Sequence, residues 1–587
     1  MTVDDTPVVI AHSLSKGFRV GKGSVQALNE VSFAIRPRAV SGLVGPDGAG
    51  KTTLMRLAAG LLVPDAGRIE ALGLDASRDS LAVQAALGYM PQRFGLYEDL
   101  TVQENLDLYA DLQGVPLADR PQRYEELMHM TGLAPFARRL ARRLSGGMKQ
   151  KLGLACTLVR APRLLLLDEP TVGVDPVSRR ELWAIVDRLV RDEGMSVLLS
   201  TAYLDEAERC SEVILLHEGR VLDHGPPAAM SARMAGRCWA VSVPGRRNRD
   251  LQAELAVAEG IVDALVQGDH VRLVTHADVG PALPAPLAGI AGTRCEAVAP
   301  RFEDVFVDLL SAHVGGQPQS PAVSVAAQLN DRPDGGPVIE VRDLVRTFGK
   351  FRAVDGIGFA VRRGEIFGLL GANGAGKSTT FRMLCGLLPA SSGTLRVAGL
   401  DLRHAASAAR ARIGYMSQKF SLYGNLSVAQ NLDFFASAYG LTVDLRRERL
   451  AWALAEFDLA RHAVHLAADL SLGYKQRLAM ACALMHRPEI LFLDEPTSGV
   501  DPLARREFWR RINALARAGV TVLVTTHFME EAEYCDRLAI MAAGRILAMD
   551  EPAAIKAGAR TPQRPEPSME DAFIDLVESA ATPREAA

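Results

Sequence analysis

The fold is decided by Gly45-Pro46-Asp47-Gly48-Ala49-Gly50-Lys51-Thr52 and by its copy Gly371-Ala372-Asn373-Gly374-Ala375-Gly376-Lys377-Ser378, each of which is followed by a threonine, Thr53 or Thr379. Both match the phosphate-binding pattern G-x-x-x-x-G-K-[ST]. Glycines let the backbone curl so that successive N–H groups face one anion. The lysine reaches the β- and γ-phosphates, and the hydroxyl ligates Mg²⁺. The two stretches therefore predict two sites for ATP with Mg²⁺.

An internal repeat organises the rest of the chain. Lys51 and Lys377 are 326 residues apart, and the same spacing separates Asp168 from Asp494. Apolar runs at residues 164–167 and 490–493 each lead into an Asp-Glu pair, which is typical of a buried parallel strand with acids at its carboxyl edge. The predicted fold class is therefore α/β, with two P-loop NTPase cassettes in tandem and a small α/β domain after the first.

The domain boundaries follow from this repeat and from local composition. We expect a first cassette at residues 1–229, a small α/β domain at 230–310, a flexible linker at 311–337, a second cassette at 338–550 and a short tail at 551–587. The linker is rich in Gly, Pro, Gln and Ser. The second copy lacks 58 residues of the small domain yet keeps every cassette motif, so that domain should be dispensable for nucleotide binding.

Composition excludes several classes of function. The net charge of −3 gives no reason to expect a nucleic-acid partner. Seven cysteines without a C-x-x-C pair indicate neither a zinc site nor a disulfide framework. The chain has no run of 18 apolar residues and an acidic start, which predicts neither a membrane span nor a signal peptide.

The complete motif set resembles the ATP-binding cassette of ABC transporters over roughly residues 1–225 and 338–550. Leu144-Ser145-Gly146-Gly147-Met148-Lys149-Gln150 matches the signature of that family. Gln92 and Gln418 match its glutamine loop, and Asp175 and Asp501 match its aspartate loop.

This resemblance implies a role for each matching residue. The implied catalytic residues, which orient or deprotonate the attacking water or sense the γ-phosphate, are Glu169, Glu495, Gln92, Gln418 and the switch histidine His527. The implied metal ligands are Thr52, Ser378, Asp168, Asp494, Gln92 and Gln418. Besides the two glycine loops, the implied ATP contacts are Phe18, Phe348, Ser145, Gly146, Gly147, Ser471 and Gly473.

The same resemblance implies that the two ATP sites are unequal. In this family two cassettes pair head to tail, so the phosphate loop of one copy meets the signature of the other. The Lys51 site would then face Leu470-Ser471-Leu472-Gly473, in which Leu472 replaces a glycine. That site also has Ala202 in place of His527, and Asp47 in place of Asn373. We therefore expect the Lys51 site to be degenerate and the Lys377 site to be complete.

These features favour the ATPase subunit of an exporter of drugs or other substrates, working with integral-membrane permease subunits encoded separately. Such a protein would be cytoplasmic and peripheral on the inner face of the cell membrane. Two alternatives remain, namely a soluble two-cassette ATPase acting on ribosomes and the ATPase of a sugar importer. The ribosomal class typically has a basic helical arm between its cassettes, whereas residues 226–337 carry 9 Arg, no Lys and 12 acids.

Overall fold

The chain divides into two units, one made of Met1–Ala235 with Pro300–Val314 and the other of Gly236–Ala299 with Gly315–Ala587. The structure, a computed structural model, describes residues 6–20, 23–92, 95–276, 290, 292–314, 336–418 and 420–581. Most of the predicted linker, residues 315–335, lies outside the described residues.

The first cassette is a mixed α/β domain. Its strands are β1 (Val9–Val20), β2 (Gly23–Ile35), β3 (Val40–Val44), β4 (Ala66–Ala71), β5 (Leu74–Asp75), β6 (Leu87–Met90), β7 (Leu164–Asp168), β8 (Ser196–Thr201), β9 (Glu212–His217) and β10 (Arg220–Gly225). Its helices are α1 (Lys51–Ala58), α2 (Ser80–Ala86), α3 (Val102–Leu112), α4 (Arg120–Thr131), α5 (Gly146–Leu158), α6 (Pro176–Glu193), α7 (Leu204–Arg209) and α8 (Pro227–Ala232).

The main sheet of this cassette has the strand order β10-β9-β3-β8-β7-β6, and only the β10–β9 pair is antiparallel. Every residue of β3, β7 and β8 is buried, which explains their largely apolar sequences. A second, antiparallel sheet has the order β2-β1-β4-β5. Because β3 and β7 run parallel, the glycine loop after β3 and the acids ending β7 lie at the same edge.

Residues 236–299 are here called the middle domain, and the described part of it, 236–276, 290 and 292–299, forms an antiparallel sheet with one helix. The elements are β11 (Cys238–Ser242), α9 (Asn248–Leu255), β12 (Ile261–Gln267), β13 (His270–Thr275) and β14 (Arg294–Ala297), and the strand order is β12-β13-β11-β14. Leu251 and Leu255 of α9 pack on Val241 and Leu273 of the sheet. The predicted small α/β domain is therefore present, with its own core.

The ends of this domain differ from the predicted 230–310. Helix α10 (Phe302–Val314) belongs to the first unit, where Phe302 and Phe306 are fully buried and α10 contacts α7 and α8. The Phe302 amide also donates to Glu208 Oε1 of α7 at 2.8 Å. A deletion of residues 230–310 would remove these aromatic side chains from the first unit, so the expected dispensability applies at most to residues 236–299.

The second cassette repeats the first. Its strands are β15 (Ile339–Phe348), β16 (Phe351–Val361), β17 (Ile366–Gly371), β18 (Ser392–Val397), β19 (Leu400–Asp401), β20 (Ile413–Met416), β21 (Ile490–Asp494), β22 (Thr521–Thr526), β23 (Arg537–Ala542) and β24 (Arg545–Asp550). Its helices are α11 (Lys377–Leu384), α12 (Leu402–Arg410), α13 (Val428–Ala438), α14 (Val443–Glu456), α15 (Leu472–Ala483), α16 (Pro502–Arg517) and α17 (Met529–Ala532). The sheet orders, β20-β21-β22-β17-β23-β24 and β16-β15-β18-β19, match those of the first cassette.

Within residues 551–581, the part of the predicted short tail that the structure describes, lie two helices, α18 (Pro552–Gly558) and α19 (Met569–Ala581). Helix α19 contacts α17 and β24, and Phe573 is fully buried there. The tail is thus part of the folded second unit. Among the helices that the structure describes, none combines the length and the apolar character that a membrane crossing requires.

Candidate nucleotide sites

Each glycine loop turns from a buried strand into a helix through a left-handed glycine. Gly50 caps α1 with φ 103°, and Gly376 caps α11 with φ 104°. A Cβ on Gly50 would lie 2.5 Å from the Ala27 carbonyl oxygen, so no other residue fits without moving backbone. In contrast, the left-handed Gly48 is exposed, and a Cβ on it would meet nothing within 4 Å. An open loop at a helix N-terminus is suited to an anion.

The lysine of each loop is buried and folded over that loop. Lys51 Nζ donates to the Gly45 carbonyl at 2.7 Å and to the Pro46 carbonyl at 3.2 Å. Lys377 Nζ donates to the Gly371 and Ala372 carbonyls at 2.6 and 3.2 Å. The ammonium groups are therefore held where phosphate oxygens would enter the loop.

The predicted hydroxyl ligands for Mg²⁺ are available. Within the described residues, neither the Thr52 nor the Ser378 hydroxyl has a hydrogen-bond partner, and both residues are at least partly exposed. Mg²⁺ prefers oxygen ligands, and a hydroxyl together with the aspartate at the end of a neighbouring strand supplies them. No group of three or more His, Cys, Asp or Glu able to hold a metal occurs in the described part of the chain. The residues therefore fit Mg²⁺ bound jointly by protein, water and nucleotide.

A hydroxyl that the sequence reasoning missed orders the acidic edge of each cassette. Ser200 Oγ donates to Asp168 Oδ1 at 2.7 Å and accepts from the Glu169 amide at 3.0 Å. Thr525 Oγ1 does the same for Asp494, at 2.6 Å, and for the Glu495 amide, at 3.0 Å. The sequence did contain a signal for this role, because a serine or threonine stands at the matching position near the end of an apolar strand in both copies.

The glutamates adopt a backbone conformation that is rare outside glycine. Glu169 has φ 51° and Glu495 has φ 46°. Gln92 Nε2 donates to Glu169 Oε2 at 2.5 Å, and Lys51 Nζ lies 3.6 Å from Glu169 Oε1. The structure thus brings the predicted glutamine, glutamate and lysine together in the first cassette.

The second cassette contains the same three groups and a histidine. Gln418 Nε2 donates to Glu495 Oε2 at 2.7 Å, and Lys377 Nζ lies 3.8 Å from Glu495 Oε1. His527 Nδ1 lies 3.2 Å from Glu495 Oε2. The His527 ring is buried, and its other nitrogen, Nε2, has no hydrogen-bond partner among the described residues. A buried nitrogen of this kind fits a site that receives a further polar ligand.

The pKa values of the two glutamates are shifted in opposite directions, and His527 contributes to the difference. Burial raises the pKa of Glu169 above its ordinary value of 4.5, and the nearby Lys51 only partly offsets this. Burial acts on Glu495 in the same direction, but His527 and Lys377 outweigh it and hold the pKa of Glu495 below 4.5. The second cassette therefore keeps its carboxylate in the charged form more firmly.

The signatures also differ within their own cassettes. Ser145 caps α5 by accepting from the Met148 amide at 3.3 Å, with Gly146 and Gly147 opening the helix. Ser471 makes no such side-chain cap for α15, whose first residue is Leu472, followed by Gly473. The first cassette therefore holds the more regular signature.

The predicted adenine-stacking residues lie in strands of the antiparallel sheets. Phe18 in β1 is 39% exposed, and Phe348 at the end of β15 is 48% exposed. Such large exposed aromatic surfaces are available to a ligand. Arg346 already lies over the Phe348 ring at 4.6 Å from its centroid. Their role in stacking adenine remains a prediction.

The sequence matches the family model described as ABC transporter twice, at residues 28–172 and at 354–498. The chain belongs to the ABC transporter family as a two-cassette ATP-binding protein, and it is an ATP hydrolase of that family. It is 52% identical over 538 residues to the probable multidrug ABC transporter ATP-binding protein YbhF of Escherichia coli (strain K12), covering 92% of each chain.

Other relatives match one cassette. The Nod factor export ATP-binding protein I of Ralstonia nicotianae is 42% identical over 217 residues, which cover 37% of this chain and 68% of that protein. The linearmycin resistance ATP-binding protein LnrL of Bacillus subtilis (strain 168) is 39% identical over 213 residues, which cover 36% and 68%. A solved ATP-binding subunit of an ABC transporter aligns at 30% identity with a TM-score of 0.38, covering 41% of this chain and 99% of its own.

Proposed function

We propose that this chain is the ATPase subunit of an ABC exporter and drives drugs or other substrates through separately encoded permease subunits. The support comes from relatives named for multidrug transport, Nod factor export and linearmycin resistance. On this proposal the protein is cytoplasmic and binds at the inner face of the cell membrane through its permease. The two cassettes pair internally to use ATP.

The observation that carries the hydrolytic role is the group of side chains around Glu495. Its carboxylate is buried, held in the charged form and contacted by Gln418 and His527. In the proposed reaction Glu495 orients or deprotonates the water that attacks the γ-phosphate. Lys377 holds phosphate oxygens. Ser378, Asp494 and Gln418 would hold Mg²⁺, which would supply positive charge for the phosphate oxygens.

We also propose that the two sites work unequally. Glu169 has the same glutamine and lysine contacts as Glu495, but Ala202 stands where the second cassette has His527. The site built on Lys377 therefore carries most of the hydrolysis, while the site built on Lys51 binds ATP and turns over slowly. Losing one group that stabilises a transition state commonly slows a reaction by about 10²–10³-fold.

Co-purification from membranes tests the transport proposal. The full chain, tagged at one end and expressed together with candidate permease genes from the same genome, should pellet with membranes and carry a permease through purification. Expressed without them, it should remain in the supernatant. A chain that stays in the supernatant beside every candidate permease and sediments with ribosomes would contradict the proposal. A chain that carries a sugar-uptake permease would favour the importer alternative instead.

A further inference from the structure

The middle domain follows the first cassette in sequence but binds the second. Its strand β12 presents Asp263, a buried carboxylate, to helix α16. Asp263 accepts hydrogen bonds from the guanidinium groups of Arg506 and Arg510. A buried carboxylate requires such partners, because an uncompensated charge away from water is strongly destabilising.

Polar contacts on either side of this ion pair complete the interface. Asn513 Nδ2 donates to Gln252 Oε1 at 2.9 Å, and both side chains are buried. Arg249 of α9, also buried, donates to the Gly364 carbonyl at 2.9 Å and pairs with Asp536. These contacts pair donors on one surface with acceptors on the other, so the two surfaces are matched in position as well as in charge.

A backbone contact and a surface ion pair extend the same interface. The Gly268 amide donates to the Glu533 carbonyl at 3.3 Å. Arg517, at the end of α16, donates to Asp250 Oδ1 at 2.9 Å, and both side chains are exposed. These contacts are weaker than the buried ones, because water competes for exposed pairs.

Several partner residues of the second cassette are replaced at the matching places of the first. Where the second cassette has Arg510, Asn513 and Asp536, the repeat puts Ala184, Asp187 and Ser211. Arg506 and Arg517 are retained there as Arg180 and Arg191. Ala184 cannot donate to Asp263, and Asp187 would bring an acid toward the same surface. The first cassette therefore keeps only part of the set of residues that binds the middle domain.

We propose that the middle domain is an intramolecular docking module, which binds the α16 face of the second cassette and so ties the two cassettes together without nucleotide. The domain is continuous with the first unit at residues 235–236 and 299–300. Docking therefore joins the cassettes by a non-covalent contact in addition to the peptide linker. A tether of this kind raises the effective concentration of one cassette near the other. This inference goes beyond the proposed transport function and does not depend on any substrate.

Cleavage of the folded full chain tests this proposal. A specific protease site is inserted between residues 320 and 330, and the intact protein is purified, cleaved and run on gel filtration in EDTA without nucleotide. The two fragments should elute together. In Asp263→Lys, the reversed charge meets Arg506 and Arg510, so the affinity between the fragments should fall by roughly 10²-fold or more and they should separate.

Two further variants keep the outcome interpretable. Glu259→Lys makes the same charge change at an exposed acid of the middle domain that forms no ion pair with any residue that the structure describes, and its fragments should stay together. Adding Arg510→Glu to Asp263→Lys should restore part of the association. Far-UV circular dichroism of the uncleaved proteins establishes that each variant folds. The proposal is overturned if folded wild-type fragments separate without nucleotide, or if Asp263→Lys fragments associate as tightly as those of Glu259→Lys.

Discussion

His527 Nδ1 lies 3.2 Å from Glu495 Oε2 in the second cassette, whereas Ala202 occupies the equivalent place beside Glu169 in the first. One substitution between the two copies thus removes a buried ring from the contacts of the glutamate. Because that ring and Lys377 outweigh the effect of burial, the pKa of Glu495 falls below its ordinary value, while that of Glu169 rises. The residue difference and the two pKa shifts therefore both distinguish the site of the second cassette from that of the first.

Replacing the histidine should separate catalysis from binding. On the proposed function, His527→Ala is expected to lower steady-state ATP hydrolysis by about 10²–10³-fold, because it removes the ring that contacts the Glu495 carboxylate. ATP affinity should change little, since the glycine loop and Lys377 are untouched. Nucleotide binding by fluorescence and hydrolysis by phosphate release measure the two effects. The control is His404→Ala, at an exposed position of α12, which should retain full activity. A large loss of ATP affinity in His527→Ala would contradict the assigned role.

The two signatures should differ in how well they tolerate alanine at their matching glycines, Gly147 and Gly473. A Cβ on Gly147 would lie 2.4 Å from Ser178 Oγ, which is itself bonded to Asp175 at 3.0 Å. Gly147→Ala should therefore displace the first turn of α6 and destabilise the first cassette by about 1–3 kcal/mol. A Cβ on Gly473 would meet Ala504 Cβ at an ordinary 3.4 Å, so Gly473→Ala should be close to neutral. Calorimetric unfolding of both full-length variants compares them, and equal shifts would refute this reading of the packing.

Acid should weaken the second cassette through His486. Burial lowers the pKa of this imidazole from its ordinary 6.5 to about 4, and its ring stacks on Tyr439 with centroids 3.7 Å apart. Nε2 lies 3.0 Å from the Ile413 carbonyl, while the buried Nδ1 has no hydrogen-bond partner among the described residues, so the doubly protonated ring leaves one donor unsatisfied. Arg449 nearby further disfavours the cation.

The sign follows from the lowered pKa. Between pH 6.5 and about 4, the unfolded chain binds a proton at His486 and the folded chain does not. The stability that the neutral imidazole contributes is therefore complete above pH 6.5, and it is lost as the pH falls toward 4. The loss is at most about 3 kcal/mol. His486→Gln keeps a donor for Ile413 but cannot titrate. Its stability should fall less than that of the wild type over this range, as measured by denaturant unfolding at each pH. Parallel pH profiles would contradict the prediction.

Local motifs account for what the sequence predicted well. Phosphate binding depends on consecutive residues, so Gly45 to Thr52 specify the loop, its strand and its helix together. The apolar run that ends at Asp168 specifies a buried strand in the same way, and the structure confirms it.

Contacts between distant residues explain what the sequence did not predict. Asp263 and Arg506 are 243 residues apart, and an ion pair leaves no periodic pattern in either segment. The attachment of the middle domain to the second cassette was therefore missed. A signal was nevertheless present, because Arg510 and Asn513 depart from the first copy at positions where a repeated helix had no evident reason to change. The attachment of α10 to the first cassette could also have been predicted from the sequence. Residues 302–309 recur at 569–576, in the part of the chain that folds with the second cassette.

The central claim, that the second cassette carries most of the hydrolysis, is tested most directly by steady-state ATPase activity of Glu495→Gln and Glu169→Gln in the assembled transporter. The two substitutions are chemically identical and fall at equivalent positions of the repeat, so any difference reports the site and not the mutation. Glu495→Gln should nearly abolish turnover, and Glu169→Gln should leave a substantial fraction of it. Equal losses in the two variants, or a larger loss in Glu169→Gln, would contradict the account.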